Sequence, residues 1–247
     1  MALLIIGDNC IDTFIYGKVE RLAPEAPVPI IIPENTISTP GMAGNVWKNI
    51  KALPYKKDID FIHNEEDIVK TRYVCTEHNY ILLRVDHNDG CKPISINDLT
   101  KIDFDKYEAI IISDYNKGFL SEVDIEFIAK SHPCVFLDTK KILGDYVEEV
   151  KYIKINFHEF KENTLYFKNH PETLNKTIIT RGKYGCNFRG INYPTQEVPV
   201  KDVSGAGDTF LAGLVVKYIE TQNIEEAIKY AQECTTIVVQ KVGVSTI

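Results

Sequence analysis

Asp202-Val203-Ser204-Gly205-Ala206-Gly207-Asp208-Thr209-Phe210 places two glycines and a carboxylate where an extended segment, residues 197–201, gives way to an apolar helical repeat. Glycine at 205 and 207 permits positive φ and close approach of a ligand to the backbone. A helix beginning there leaves free N–H groups and a partial positive charge at its first turn. Such a turn suits a phosphoryl group in transfer, held by Gly205, Ala206 and Gly207. Asp208 cannot itself hold a phosphate, because like charges repel. It can accept the proton of a hydroxyl as that hydroxyl attacks phosphorus. The same residues also read as a plain glycine turn in which Asp208 and Thr209 cap a helix. The motif alone leaves both readings open.

Other polar groups recur just past apolar runs. Gly7-Asp8-Asn9-Cys10-Ile11-Asp12 follows the first of them, and carboxylates at Asp8 and Asp12 can accept hydrogen bonds from sugar hydroxyls or cap turns. Ser113-Asp114-Tyr115-Asn116-Lys117-Gly118 and Asp138-Thr139-Lys140 each put a carboxylate and a lysine at a strand end, where Lys117 and Lys140 could neutralise phosphates. Asn156 and Glu159, just past another apolar run, share one face of a starting helix. Thr180-Arg181-Gly182-Lys183-Tyr184-Gly185 is a tight glycine loop between two strands.

Those groups need a scaffold. Residues 3–6, 109–112, 135–137, 152–155 and 177–179 are short runs rich in β-branched residues and read as buried strands. Helical stretches alternate with them, as at 121–130, 46–53, 206–221 and 224–241. The alternation predicts an α/β fold with a mainly parallel sheet and helices on both faces. Residues 26–33, fenced by prolines, read as an edge strand. Residues 71–86 read as a hairpin turning near 77–79. The two together predict a small antiparallel sheet outside the main one.

The 247 residues suit a single domain. A formal charge of −7 without a Lys/Arg run argues against a nucleic-acid surface. No apolar run reaches the roughly 20 residues of a membrane span, and the N-terminus reads as a strand and not a signal peptide, so a cytoplasmic place is expected. The six cysteines form no CxxC pair and are expected to be reduced. The histidines lack zinc-ligand spacing.

In this order the segments resemble the ribokinase-like carbohydrate kinases, the phosphofructokinase-B family. Residues 202–210 are similar to its C-terminal signature, and Asn156-Phe157-His158-Glu159 to its Asn-x-x-Glu motif. Gly41-Met42-Ala43-Gly44-Asn45 is similar to its Gly-Gly-x-x-Asn pattern, with Met42 at the second glycine. The resemblance implies a three-layer α/β/α ribokinase-like domain over 1–247, with a small antiparallel β lid formed by about 13–38 and 71–88. It implies an ATP-dependent, Mg²⁺-requiring phosphotransferase with Asp208 as general base and the Gly205–Gly207 turn as anion hole. Asp12 and its neighbours, Gly41 and Asn45 would contact the sugar. Thr180, Gly182, Gly185, Ser204 and Asn156 would lie on the ATP side, together with a loop at 240–243. Asn156 and Glu159 would order Mg²⁺ through water, and Asp202 would help hold a monovalent cation such as K⁺.

Within the family the likeness is greatest to the D-glycero-D-manno-heptose 7-phosphate kinases, through 21–29, 82–86, 113–118 and 241–246. That likeness implies transfer to the anomeric hydroxyl of a phosphorylated sugar. Arg21, Arg84, Lys117 and Lys140 would then hold the distal phosphate or the charges of ATP, and the lid would pair two subunits as a homodimer. A kinase for another sugar or a nucleoside, or a non-catalytic sugar-phosphate binder, are the competing expectations. The chain is shorter than the family pattern by about one strand-and-helix unit between Asn45 and the hairpin. It also has a short helix after Glu159 and stops at Ile247, where the pattern continues. Altered substrate choice or lower stability is expected from the lost scaffold.

Overall fold

Strands that are apolar on both faces must be covered on both faces, and a parallel sheet between helical layers meets that demand. The computed structural model describes residues 1–241, 243, 246 and 247; Val242, Val244 and Ser245, which carry part of the expected 240–243 loop and of the 241–246 segment, lie outside the described residues. In chain order the elements are β1 (Ala2–Gly7), β2 (Asn9–Leu22), β3 (Pro29–Met42), α1 (Ala43–Ala52), β4 (Ile59–His63), β5 (Val69–Cys75) and β6 (Tyr80–His87). Then come α2 (Ile96–Leu99), β7 (Tyr107–Asp114), α3 (Glu122–Ser131), β8 (Val135–Thr139), β9 (Tyr152–Asn156), α4 (Phe157–Glu162) and α5 (Thr164–Asn169). The last are β10 (Thr177–Thr180), β11 (Cys186–Phe188), β12 (Ile191–Tyr193), α6 (Ala206–Thr221) and α7 (Ile224–Val238).

Among the described residues the central sheet has eight strands in the order β12-β11-β10-β9-β8-β7-β1-β4. The run from β10 to β4 is parallel, and β11 and β12 close one edge antiparallel. Alternate residues of each strand point to opposite layers. Leu3, Ile5, Ile111 and Phe136 pack against α1, α6 and α7. Leu4, Ile6, Ile110 and Leu137 pack on the α3 side. The chain crosses from β4 on one side of β1 to β7 on the other. Such a reversal opens a crevice at the carboxyl ends of the strands.

Above that crevice lies a second sheet in the order β3-β2-β5-β6. It contains the expected segments 13–38 and 71–88 and the hairpin β5–β6. Its two antiparallel ribbons, β2–β3 and β5–β6, are joined by a parallel pairing of β2 with β5. Pro29, Pro33 and Pro40 all sit on the edge strand β3, where a missing N–H costs least. All six cysteines are free thiols. No helix among the described residues is long and apolar enough to cross a membrane.

Candidate active site

Helix α6 begins at Gly205, whose left-handed backbone (φ 77°) turns the chain into the helix. Only glycine takes that conformation without strain. The positive φ expected at Gly207 is absent, since this residue is already helical. It matters for a different reason: a Cβ there would lie 2.9 Å from the Lys154 Nζ.

Asp208 follows in the first turn and is buried. The Tyr115 hydroxyl donates to its Oδ1 at 2.6 Å and the Asn45 amide donates to its Oδ2 at 2.8 Å. Burial pushes its pKa up to about 6, against the two hydrogen bonds and the Lys154 charge, which favour ionisation; Asp138 adds to the rise. Asn45 is itself held. Asn49 donates to the Asn45 Oδ1 at 3.1 Å, and Thr209 donates to the Asn49 Oδ1 at 3.1 Å, which locks α1 to α6.

The Asp208 carboxylate lies on the wall of a cavity of about 190 Å³, together with Asp12, Lys70, Arg72, Arg84 and Tyr115. Arg72 is ion-paired with Asp12 and lies over the Phe14 ring. Arg84 forms two bonds to Asp86, at 2.6 and 2.7 Å. Lys70 is buried and makes no ion pair or hydrogen bond with the described residues. Desolvation lowers its pKa. A buried cation without an anion is costly, and one that faces a cavity is set to receive an anion there. Met42 also lines this cavity, with φ 54°, in a region where a side chain costs about 1–3 kcal/mol. Gly41 leaves room for Asp12: a Cβ on it would fall 2.1 Å from the Asp12 Oδ2.

Several expected sugar contacts have other work. Asp8 is turned into the protein, where its two oxygens accept the backbone N–H groups of Tyr115, Lys117 and Phe119. It fastens the loop that carries Tyr115 and offers nothing to a sugar. Asn45 is fully buried, and its amide nitrogen donates to Asp208. Lys117 pairs with Asp89 at 2.6 Å, away from the cavity wall. Arg21 lies exposed on β2, nine residues past Asp12, which puts it roughly 30 Å away along an extended strand. Lys140 is ion-paired with Glu159 and Asp138, and its ammonium lies 5.3 Å from the Tyr115 ring centre.

On the other side of the Gly205–Gly207 turn, a cavity of about 110 Å³ brings together Thr180, Gly182, Gly185, Ala206 and Gly207. Through Thr195 and Gln232 it joins a groove of about 540 Å³ along α7. Ser204 lies on the Asp208 side of the turn. Asn156 caps α4, and Glu159 closes a reciprocal capping box with it. One Glu159 oxygen accepts from Lys140 and the Asn156 amide, the other from the Asn156 backbone. Asp202 accepts the N–H groups of Ser204 at 2.8 Å and Gly243 at 3.0 Å.

Lys70, Arg72, Tyr115 and Lys154 were not anticipated as site residues. Lys70 and Arg72 alternate on β5 and so share a face, a period-2 signal present in the hairpin. Lys154 is a lone charge in an otherwise apolar buried strand, which is a visible anomaly.

Residues 105–247 match the model of the pfkB family carbohydrate kinases. The bifunctional protein HldE of Psychromonas ingrahamii is 27% identical over 298 aligned residues, covering 99% of this chain and 61% of that protein. The chain thus spans about three-fifths of that relative's length. Thermotoga maritima ribokinase superposes with a TM-score of 0.73 at 15% identity, covering 98% of this chain and 94% of that one. Arabidopsis thaliana ribokinase, solved with ribose and ATP, superposes with a TM-score of 0.67 at 14% identity, covering 98% and 93%. Likeness at this level shows a shared ribokinase fold.

Proposed function

Because this chain belongs to the pfkB family of carbohydrate kinases, we propose that it moves the γ-phosphoryl group of ATP to a hydroxyl of a phosphorylated sugar, with Asp208 as general base. The observation that carries this reading is the position of the Asp208 carboxylate. It faces a cavity edged by Lys70, Arg72 and Arg84, and a second cavity opens across the glycine turn. The acceptor sugar occupies the first and the nucleotide reaches in from the second. The sugar oxygen bonds to the γ-phosphorus as the bond to the β-phosphate oxygen breaks. The hydroxyl proton passes to Asp208, and ADP leaves. The N–H groups at the start of α6 receive the charge of the moving group.

Lys70, Arg72 and Arg84 surround one small cavity; the arginines are paired with Asp12 and Asp86, and Lys70, without an ion pair among the described residues, favours an anionic sugar. With the resemblance at 21–29, 82–86 and 113–118, this supports a heptose 7-phosphate phosphorylated at its anomeric hydroxyl. Glu159 and Asn156 fit a Mg²⁺ ion held through water and not by direct ligation, because both Glu159 oxygens already accept hydrogen bonds. When bound, that ion neutralises charge on the nucleotide phosphates. Each Asp202 oxygen keeps a lone pair that suits a monovalent cation such as K⁺. On β6, Leu83 and Val85 flank Arg84 and are exposed on the lid's other face, which supports pairing of two subunits through it.

The test is a panel of sugars and sugar phosphates with ATP and Mg²⁺, read as ADP release. Turnover is expected with a sugar phosphate. Asp208→Asn should lower kcat by roughly 10²–10⁴-fold, the usual loss for a general base. Wild-type protein that releases ADP with no member of the panel would overturn the reading.

A further inference from the structure

Lys154 stands in the middle of β9, with fully buried Ile153 and nearly buried Ile155 beside it. It is paired in register with Asp138 of β8, and its ammonium is 2.6 Å from the Asp138 carboxylate. Both residues face the layer that contains α6. A buried ion pair contributes little net stability, and an apolar pair of the same size would often serve as well. Its place gives it another purpose. The ammonium lies 2.9 Å from the point that a Cβ on Gly207 would occupy. Setting aside Ala206, Asp208 and the helix's own backbone, that lysine's Nζ and Cε are the only atoms of the described residues within 4 Å of that point. Gly207 is helical and has no conformational need to be glycine. Its missing side chain leaves a window in the first turn of α6, with a cation behind it.

We propose that Lys154 is a catalytic residue of the phosphoryl transfer, meeting the moving group's oxygens through the gap at Gly207. The inference rests on the kinase reading above. An oxygen entering that gap comes within hydrogen-bond distance of the ammonium, beside the N–H groups that open the helix. Asp138 fixes the lysine in place, and its own second oxygen finds no hydrogen-bond partner among the described residues. Lys140 stands 3.7 Å from that same oxygen and keeps Asp138 from holding Lys154 as a closed neutral pair. The Lys154 charge also favours ionised Asp208, so one cation serves the base and the group in transfer.

The test compares Lys154→Met, Lys154→Arg and the double variant Asp138→Asn/Lys154→Met with wild type in ADP release and thermal unfolding. We expect kcat for Lys154→Met to fall about 10²–10³-fold, as on losing an oxyanion-hole donor, with the sugar KM little changed. The acid limb of the pH profile should move upward, and Lys154→Arg should recover part of kcat. The double variant also removes the buried carboxylate that Lys154→Met leaves with only its 3.7 Å contact to Lys140, so it should regain stability while its kcat stays low. A double variant that turns over within a fewfold of wild type shows the lysine to be structural and overturns the proposal, with the kinase reading intact. Gly207→Ala supplies a second check. If adding Lys154→Met to it restores kcat, only a clash was at stake and the proposal falls. A wild-type protein without ADP release on any sugar sinks both readings together.

Discussion

Replacing Tyr115 with Phe removes one of the two side-chain donors that keep the buried Asp208 ionised. The ring stays beneath Lys140, so the change is confined to one hydroxyl. A hydrogen bond to a charged group is worth about 1.5–3 kcal/mol. One pKa unit corresponds to about 1.4 kcal/mol. Losing the bond therefore raises the Asp208 pKa by roughly one to two units from its value of about 6. On the proposed reading Asp208 accepts a proton only when ionised, so activity should be lost as pH falls through that pKa. The acid limb of kcat/KM should move from near pH 6 to about pH 7–8. At pH 7 the ionised fraction should drop from about nine-tenths to roughly one-quarter, a fourfold loss that disappears above about pH 9. The assay is a pH profile of kcat/KM, from ADP release, for wild type and Tyr115→Phe over pH 5–9.5. An acid limb that stays in place, or an equal loss at every pH, would refute the link between this hydroxyl and the base.

Asp208→Asn should gain stability while losing turnover. The folded-state pKa of Asp208 is raised from 3.8 to about 6, so the fold favours the neutral form. Stability contributed by that form is complete below about pH 4 and is lost as pH rises through about 6. The variant should therefore exceed wild type by on the order of 2 kcal/mol at pH 8, with the gap closing at pH 4, as measured by urea unfolding; equal gaps at both pH values would contradict this. Lys70→Met should raise KM for a phosphorylated sugar by about tenfold or more, as expected for a lost charge-assisted contact, and leave KM for its unphosphorylated counterpart near wild type. Equal shifts for both substrates would remove Lys70 from phosphate recognition. Asp8→Ala strands the N–H groups of Tyr115, Lys117 and Phe119 and should cost about 3 kcal/mol in urea unfolding, with a rise in KM as Tyr115 loosens; an unchanged midpoint would show that the loop holds by other means.

The strands at 3–6, 109–112, 135–137, 152–155 and 177–179 were legible because a buried parallel strand must be apolar on both faces, which leaves an unbroken apolar run. Helix α6 was legible from its glycine turn and apolar repeat, since both signals are local. The same locality made Asp208 stand out. β2 was less visible: its residues alternate between a covered and an open face across a bulged, polar strand of 14 residues. The roles of Asp8 and Asn45 were out of reach of sequence, since each depends on partners more than 100 residues away. From sequence alone a carboxylate past a strand end looks free to bind a sugar. Folding brings three backbone amides to Asp8 and uses it up.

The chain's own pattern of residues determined the α/β class, the glycine turn that opens α6 and the carboxylate beside it, because propensity and spacing act over a few neighbours. Tertiary structure alone decided which charges face the cavity, how far burial moves the Asp208 pKa, and that Gly207 opens onto Lys154. Those properties come from desolvation and from cross-strand register, and both exist only once distant segments have packed together.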